Sequence, residues 1–241
     1  MKKNSSRLMA AIMSAGAIGA VAVPSVASAE VSAELSVVSN YLFRGVTQTN
    51  GATAVQGGLE YGNPSGFYAG VWASNVDFGD GTSVEFDPYL GFSGEAGGIG
   101  YDIGYAYYGY PDSPSAIDFG EIYGELSFGL FAAGLAYTVN SEADDGDLFV
   151  DGDMYYYGSL SLPLQGDYGL GFTVGYYDFD ADGDAGVDAS YVHYAASLSK
   201  DVGEFGELSF NFELADIDET DALGSDVSDK PRFWLGWSKS F

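Results

Sequence analysis

Cysteine is absent from the 241 residues, histidine occurs once, and 8 Lys and Arg stand against 35 Asp and Glu. Without cysteine there is no disulfide framework, no thiolate metal site and no thiol nucleophile, and one histidine leaves most imidazole metal sites short of ligands. The redox compartment is not readable from a count of zero. A formal net charge of −27 excludes nucleic-acid binding through phosphate neutralisation, because the chain repels a polyanion and has no basic patch to offset that repulsion. Long apolar runs are missing too once residue 29 is passed. A spanning helix needs roughly 20 predominantly apolar residues, and Gly, Asp, Glu or Ser interrupts every stretch well before that length.

Ahead of that point the pattern is different. Lys2, Lys3 and Arg7 precede an apolar run from Leu8 to Val23, and Ala27-Ser28-Ala29 offers the small residues of a cleavage site. Gly16, Gly19 and Pro24 break the run and no positive stop follows it, which argues against a membrane anchor. The sequence therefore reads as a secretory signal peptide over 1–29 and one domain over 30–241. The domain keeps 5 Lys and Arg against the same 35 acids, a net charge of −30.

What the domain has in quantity is interleaved apolar, glycine and aromatic residues. Ile99, Tyr101, Ile103, Tyr105 and Tyr107 alternate with Gly100, Asp102, Gly104, Ala106 and Tyr108, the two-residue period of a strand with two unlike faces. Leu208, Phe210, Phe212 and Leu214 alternate with Glu207, Ser209, Asn211 and Glu213 in the same way. The spacing predicts twelve strands, near 32–44, 54–61, 67–76, 84–92, 99–108, 119–127, 131–139, 154–162, 169–177, 191–199, 207–215 and 231–241. No helical period or linker interrupts them.

The connections alternate in length and charge. Odd-numbered ones average about eleven residues and hold 21 acids, whereas even-numbered ones average about five residues and hold 4. In an up-and-down meander all odd connections emerge at one end, so one pole is long-looped and acidic and the other tightly turned, the anatomy of an outer-membrane barrel. Aromatics crowd beside the long loops, as Tyr105-Ala106-Tyr107-Tyr108-Gly109-Tyr110, Tyr155-Tyr156-Tyr157 and Tyr176-Tyr177-Asp178-Phe179, where an interfacial girdle is expected. The last strand closes on Phe241, which resembles the signal read by barrel-assembly machinery, with Lys239 placed to snorkel. A soluble β-sandwich or lipocalin-like barrel explains the alternation equally well, but not the segregated acids, the neighbouring aromatics or the terminal Phe. The reading is an all-β, up-and-down antiparallel transmembrane β-barrel of about 12 strands, in the outer membrane of a Gram-negative bacterium.

Several stretches resemble a known family: Asn40-Tyr41-Leu42-Phe43-Arg44-Gly45-Val46-Thr47-Gln48-Thr49, Ala54-Val55-Gln56-Gly57-Gly58, Gly66-Phe67-Tyr68-Ala69-Gly70-Val71-Trp72-Ala73-Ser74-Asn75-Val76 and Gly100-Tyr101-Asp102-Ile103-Gly104-Tyr105. The family is Gcw_chp of proteobacteria, also called the TorF family, and the resemblance covers roughly residues 31 to 125 well and the second half mainly by pattern. It implies an outer-membrane barrel with a pore function and an unassigned solute. Asn40 stands where the pattern leads one to expect an acid beside the Tyr, and Pro88 falls inside a strand.

Turning the apolar face of each strand toward lipid places Asn40, Arg44, Gln56, Glu60, Trp72, Glu85, Asp87, Asp102, Glu121, Glu125, His193 and Glu213 on the lumen side. Charged substitutions are then expected to harm folding at Ile103 or Phe212 and to be mild at Gly104 or Asn211. Arg44, the one Lys or Arg between Glu30 and Ser199, reads first as a structural partner for one or two wall carboxylates and second as a constriction charge. His193 has Ser190 and Ser197 near in sequence, but no motif joins them into a catalytic unit. Asp178, Asp180 and Asp182 imitate the first half of a calcium loop. Ala189 occupies the position of its bidentate Glu, so weak divalent binding by a solvated hairpin tip is the most they suggest.

The function expected is passive passage of small cationic, zwitterionic or neutral solutes through an acidic lumen, with no catalytic residue and no cofactor. Outer-membrane lipid and the assembly machinery are the expected partners. A non-conducting barrel serving as a structural or surface-interaction protein is the alternative.

Overall fold

A strand with two unlike faces has to hide one of them, and a sheet of such strands leaves no unpaired backbone only when it closes on itself. The protein does this. A computed structural model describes residues 29–143, 148–180, 189–217 and 230–241; the expected signal peptide, apart from Ala29, lies outside them, as does Asp182. The chain runs through β1 (Glu30–Val38), two short strands β2 (Leu42–Phe43) and β3 (Val46–Thr47), β4 (Ala54–Gly62), β5 (Phe67–Asn75), β6 (Val84–Ala96) and β7 (Ile99–Tyr108). It continues through β8 (Phe119–Phe128), β9 (Phe131–Ser141), β10 (Met154–Leu164), β11 (Tyr168–Asp178), β12 (Tyr191–Asp201), β13 (Glu207–Ala215) and β14 (Arg232–Ser240). Each long strand pairs antiparallel with its neighbours, and β1 closes on β14 with Glu34 opposite Ser240 and Val38 opposite Gly236. The result is a closed barrel of twelve strands, β2 and β3 forming a separate two-stranded sheet. Among the described residues the one helical element is a 3-10 turn at Gly203–Phe205, and no helix is long and apolar enough to cross a membrane.

The exterior is apolar around the ring. Leu59 on β4, Leu90 on β6, Ile103 on β7, Leu126 on β8, Val174 on β11, Phe210 on β13 and Leu235 on β14 all stand exposed, Ile103 at 57%. A wall of this extent has no water-compatible explanation in an isolated chain and matches the lipid-facing surface of a barrel. The inner face carries the polar residues, with Gln56, Glu85, Glu121, His193, Asn211 and Glu213 all buried.

Eleven of the twelve expected strands lie where the alternation puts them, and the first does not run to its expected end. It stops at Val38. Ser39 donates its backbone N–H to the Leu235 carbonyl (2.9 Å) and accepts the Leu235 N–H on Oγ (2.9 Å), which fixes the strand end to β14 and turns the chain inward. Pro88 sits within β6, and its missing N–H has a visible consequence. Pairing of β6 with β7 halts at Tyr89 opposite Ala106 and reappears only as the isolated bridge of Phe86 with Gly109.

The aromatic girdle also differs from expectation. A two-residue period splits any run of tyrosines between the faces, so Tyr108, Tyr110, Tyr155, Tyr177, Phe179 and Tyr191 are buried inside, while Tyr137, Tyr156, Tyr176 and Tyr194 stay outside. Gly104 and Asn211 are not permissive either. Tyr123 lies flat across Gly104, so that a Cβ there would overlap the tyrosine ring and sit 2.6 Å from the Leu90 carbonyl. Asn211 is buried and donates to Ser209 Oγ (2.8 Å).

Ile103→Arg should lower the free energy of folding into phosphatidylcholine vesicles by about 2 to 4 kcal/mol, the range for Arg near a bilayer midplane. Phe205→Arg, on the exposed 3-10 turn, should stay within about 0.5 kcal/mol. Denaturant titration of vesicle-folded protein measures both, and equal losses would remove Ile103 from the hydrocarbon.

Candidate functional site

Residues 39–53 build the site. After Ser39 the chain forms a hairpin of β2 and β3, with Leu42 opposite Thr47 and Phe43 opposite Val46. The turn between them is two residues long, Arg44 at φ +50° and Gly45 at φ +90°. Two consecutive positive φ values are the signature of the type I′ turn that matches strand twist, and glycine is its natural second residue. Arginine at the first is not, since the left-handed region is unfavourable for a residue with a long side chain. The base is knitted by side chains: Tyr41 N–H donates to Thr49 Oγ1 (3.1 Å), Thr47 Oγ1 donates to Asn40 Oδ1 (2.6 Å), and Gln48 N–H reaches the Tyr41 carbonyl (2.7 Å).

The hairpin lies inside the barrel and touches wall strands on several sides. Tyr41 packs edge-on against Trp72 of β5 with centroids 5.5 Å apart, and Phe43 packs against Tyr108 of β7 at 5.5 Å. At the tip, a Cβ on Gly45 would lie 2.9 Å from His193 Cβ of β12 and 3.1 Å from Ala215 Cβ of β13. Leu42 is 0% exposed. Tyr191 of β12 donates its hydroxyl to the Arg44 carbonyl at 3.0 Å.

Arg44 is the lock. Its Nη1 and Nη2 each donate to one oxygen of Glu121 on β8 at 2.7 Å, a bidentate pair across the lumen. The guanidinium carbon lies 4.2 Å from the centroid of Tyr155, 4.5 Å from Phe43 and 5.0 Å from Tyr177, so the cation is stacked as well as paired. Tyr108 and Tyr177 donate further hydrogen bonds to Glu121, at 3.1 and 3.4 Å. The Glu121 side chain is 1% exposed. A β-bulge sits beside it: Gly120 pairs with Asn140 and Glu121 with Thr138, so Val139 is the extra residue of β9. Bulges re-aim side chains, and this one adjoins the anchoring carboxylate. Phe149, packed on Phe119, Tyr177 and Phe179 at 5.2 to 5.7 Å, roofs the cluster.

The remaining expected site residues fall into two tiers. In the tier of the hairpin, Asn40 belongs to its base, Trp72 supports Tyr41, and Gln56 on β4 accepts from Ser36 Oγ (3.2 Å). His193 meets the Tyr155 hydroxyl through Nε2 (2.6 Å), and Glu85 accepts from Tyr110 (3.3 Å); Asp87 and Glu213 are also buried in this tier. About 13 Å further along each strand, toward the short turns, lies a tyrosine–carboxylate tier. Tyr89 donates to Glu60 (3.0 Å), Tyr68 to Asp102 (2.5 Å) and Tyr157 to Glu125, with Tyr68 and Tyr123 hydroxyls 2.5 Å apart. No Lys or Arg among the described residues lies on the inner face there. Arg232, which the charge pattern alone did not place in the lumen, falls opposite Glu213 in the β13–β14 register at the long-loop end.

Asp178 ends β11, and the Asp180 N–H donates to Asp153 Oδ1 (2.8 Å) on the loop before β10. Among the described residues no group of three His, Asp or Glu is arranged to hold a metal ion. The Ser190 Oγ accepts the Phe179 N–H (3.0 Å), and His193 Nε2 meets the Tyr155 hydroxyl.

The hairpin was hidden in a strand-like pattern. One signal pointed to it: residues 45–53 form the one long connection without a single acid, unlike the other five.

Arg44→Met should destabilise the barrel by about 3 to 5 kcal/mol, because it leaves Glu121 buried and unpaired, while Arg44→Met with Glu121→Leu should recover most of the loss. A double-mutant cycle by denaturant unfolding reads the coupling; strictly additive losses would mean that the pair does not hold the hairpin.

Among curated proteins no sequence match is found. The chain is similar in fold to the KdgM porin, at TM-score 0.56 and 9% identity over 87% of this chain and 99% of that one. It is similar to the KdgM porin in complex with disordered oligogalacturonate, at TM-score 0.54 and 9% identity over 88% and 98%. The NanC porin gives TM-score 0.52 and 10% identity over 87% and 98%. Likeness at such identity is likeness of barrel architecture. The description of the bacterial family of unknown function Gcw_chp matches residues 22–241, carrying the resemblance through the second half of the chain, and the protein belongs to that family.

Proposed function

We propose that the protein is a porin-like barrel of a Gram-negative outer membrane, secreted by the 1–29 signal and assembled through its C-terminal strand. In this reading it passes small cationic, zwitterionic or neutral solutes passively, without catalysis. One observation carries it. The Arg44 charge is engaged by Glu121, so the wall beyond the hairpin, lined by Glu60, Asp102 and Glu125 with Glu34 on β1 and Glu207 on β13, has acids and no opposing base. Low-dielectric walls focus that field, which raises the local concentration of cations and lowers that of anions. The hairpin narrows the lumen at the long-loop end, as a constriction that discriminates before the solute reaches the acidic tier.

A second reading has its own support. The packing of Tyr41, Leu42 and Thr49 leaves the hairpin base almost inaccessible, which favours a non-conducting barrel that acts as a structural or surface-interaction protein.

Planar-bilayer recording separates the two. Conductance steps with a reversal potential on the cation side of a salt gradient are expected, strongest at low salt where screening is weak. Silence supports the second reading, and an anion-selective reversal potential would falsify the acidic-lumen assignment. Arg44→Ala should increase conductance by releasing the hairpin tip and keep the cation preference, because the acids that set the preference lie beyond it.

A further inference from the structure

Glu85 and Asp87 occupy adjacent inward positions of β6, 1% and 7% exposed. Glu85 Oε1 accepts from Tyr110, but Glu85 Oε2 and Asp87 Oδ1 are buried without any hydrogen-bond partner. Two carboxylates side by side in a covered site repel each other and forgo hydration, an arrangement that needs a compensating positive charge or a bound proton. The protein does not supply the charge. Arg44 is engaged with both arms on Glu121, and no Lys or Arg among the described residues forms an ion pair with Glu85 or Asp87.

The register sets Trp72 and Ser74 of β5 opposite Asp87 and Glu85. Tyr110 lies on the side of β7, and Tyr41 of the hairpin base closes over Trp72. The neighbours of the pair are aromatic rings and hydroxyls, which leaves its compensation to a bound species. Its donors are carboxylate and phenolic oxygens with no nitrogen or sulfur, a set suited to a hard cation. Two negative charges match a divalent ion, and an irregular set of oxygens suits Ca²⁺ better than Mg²⁺, which demands near-ideal octahedral geometry.

We propose that Glu85 and Asp87 bind one Ca²⁺ ion beneath Tyr41, fixing the base of the inward hairpin to β6 as Arg44 fixes its tip to β8. The site is separate from the acidic loops and independent of whether the lumen conducts.

The test uses the full-length barrel folded in detergent, with Tb³⁺ as the probe, excited through Trp72, Tyr41 and Tyr110 and displaced by Ca²⁺. Salt high enough to screen exposed loop acids is present throughout. One tight site per chain is expected, weakened about tenfold or more by Glu85→Gln or by Asp87→Asn, and unchanged in Asp178→Asn with Asp180→Asn. Heat-dependent gel mobility verifies that each variant is folded. If the β6 variants do not fold, the wild-type protein decides: chelation should lower the melting temperature read by heat-dependent gel mobility, and Ca²⁺ but not Mg²⁺ should restore it. The absence of a tight site in the wild type, a site that survives both substitutions, or a melting temperature indifferent to chelation would each overturn the proposal and leave the two carboxylates sharing a proton.

Discussion

An arginine cannot shed its charge inside a protein, and the interior of this barrel is organised around that fact. Arg44 stands at the tip of a hairpin that enters the lumen, and each arm of its fork finds one oxygen of Glu121. The other features serve the same pair. A turn that accepts positive φ aims the side chain, a bulge beside Gly120 adjoins the carboxylate, and Phe43, Tyr155 and Tyr177 give the guanidinium the stacked surfaces that its weak hydration favours. Glu121 in turn receives the hydroxyls of Tyr108 and Tyr177, so few of its lone pairs are left without a partner.

Most of the wall was legible in the sequence because a half-buried strand writes its geometry as a two-residue alternation. Ile103 and Leu126 expose their side chains outside, and Glu121 and Glu213 bury theirs inside, as that rule requires. The hairpin was not legible because its first half, Tyr41-Leu42-Phe43-Arg44, is apolar and aromatic enough to read as the tail of the first strand until the backbone at Ser39 is seen to turn. The missing information is tertiary: Arg44 meets a carboxylate 77 residues away, and no local pattern names its partner. The same limit applies at Gly104, where small size looked like tolerance and is in fact the seat of the Tyr123 ring.

The two tiers divide the labour of the lumen. The hairpin tier is covered, aromatic and locked by the Arg44–Glu121 pair, and several of its buried polar atoms, Gln56 Nε2, Glu85 Oε2 and Asp87 Oδ1 among them, lack a hydrogen-bond partner. The tier near the short turns is built from tyrosine hydroxyls set on carboxylates, as in the Tyr68–Asp102 and Tyr89–Glu60 pairs. Such hydroxyls hold the carboxyl groups in place and keep the side chains ordered.

The sequence distance between the hairpin and its anchors bears on the order of assembly. Arg44 depends on Glu121, 77 positions further on, and its carbonyl is held by Tyr191, 147 positions away. Closing loops of that length is entropically unfavourable until the intervening strands have shortened the path by zipping, neighbour to neighbour, from β4 to β12. The hairpin precedes nearly all of the wall in the chain and yet has no seat until that wall exists. Its docking is thus a late event, one that reports on the completed cylinder from within.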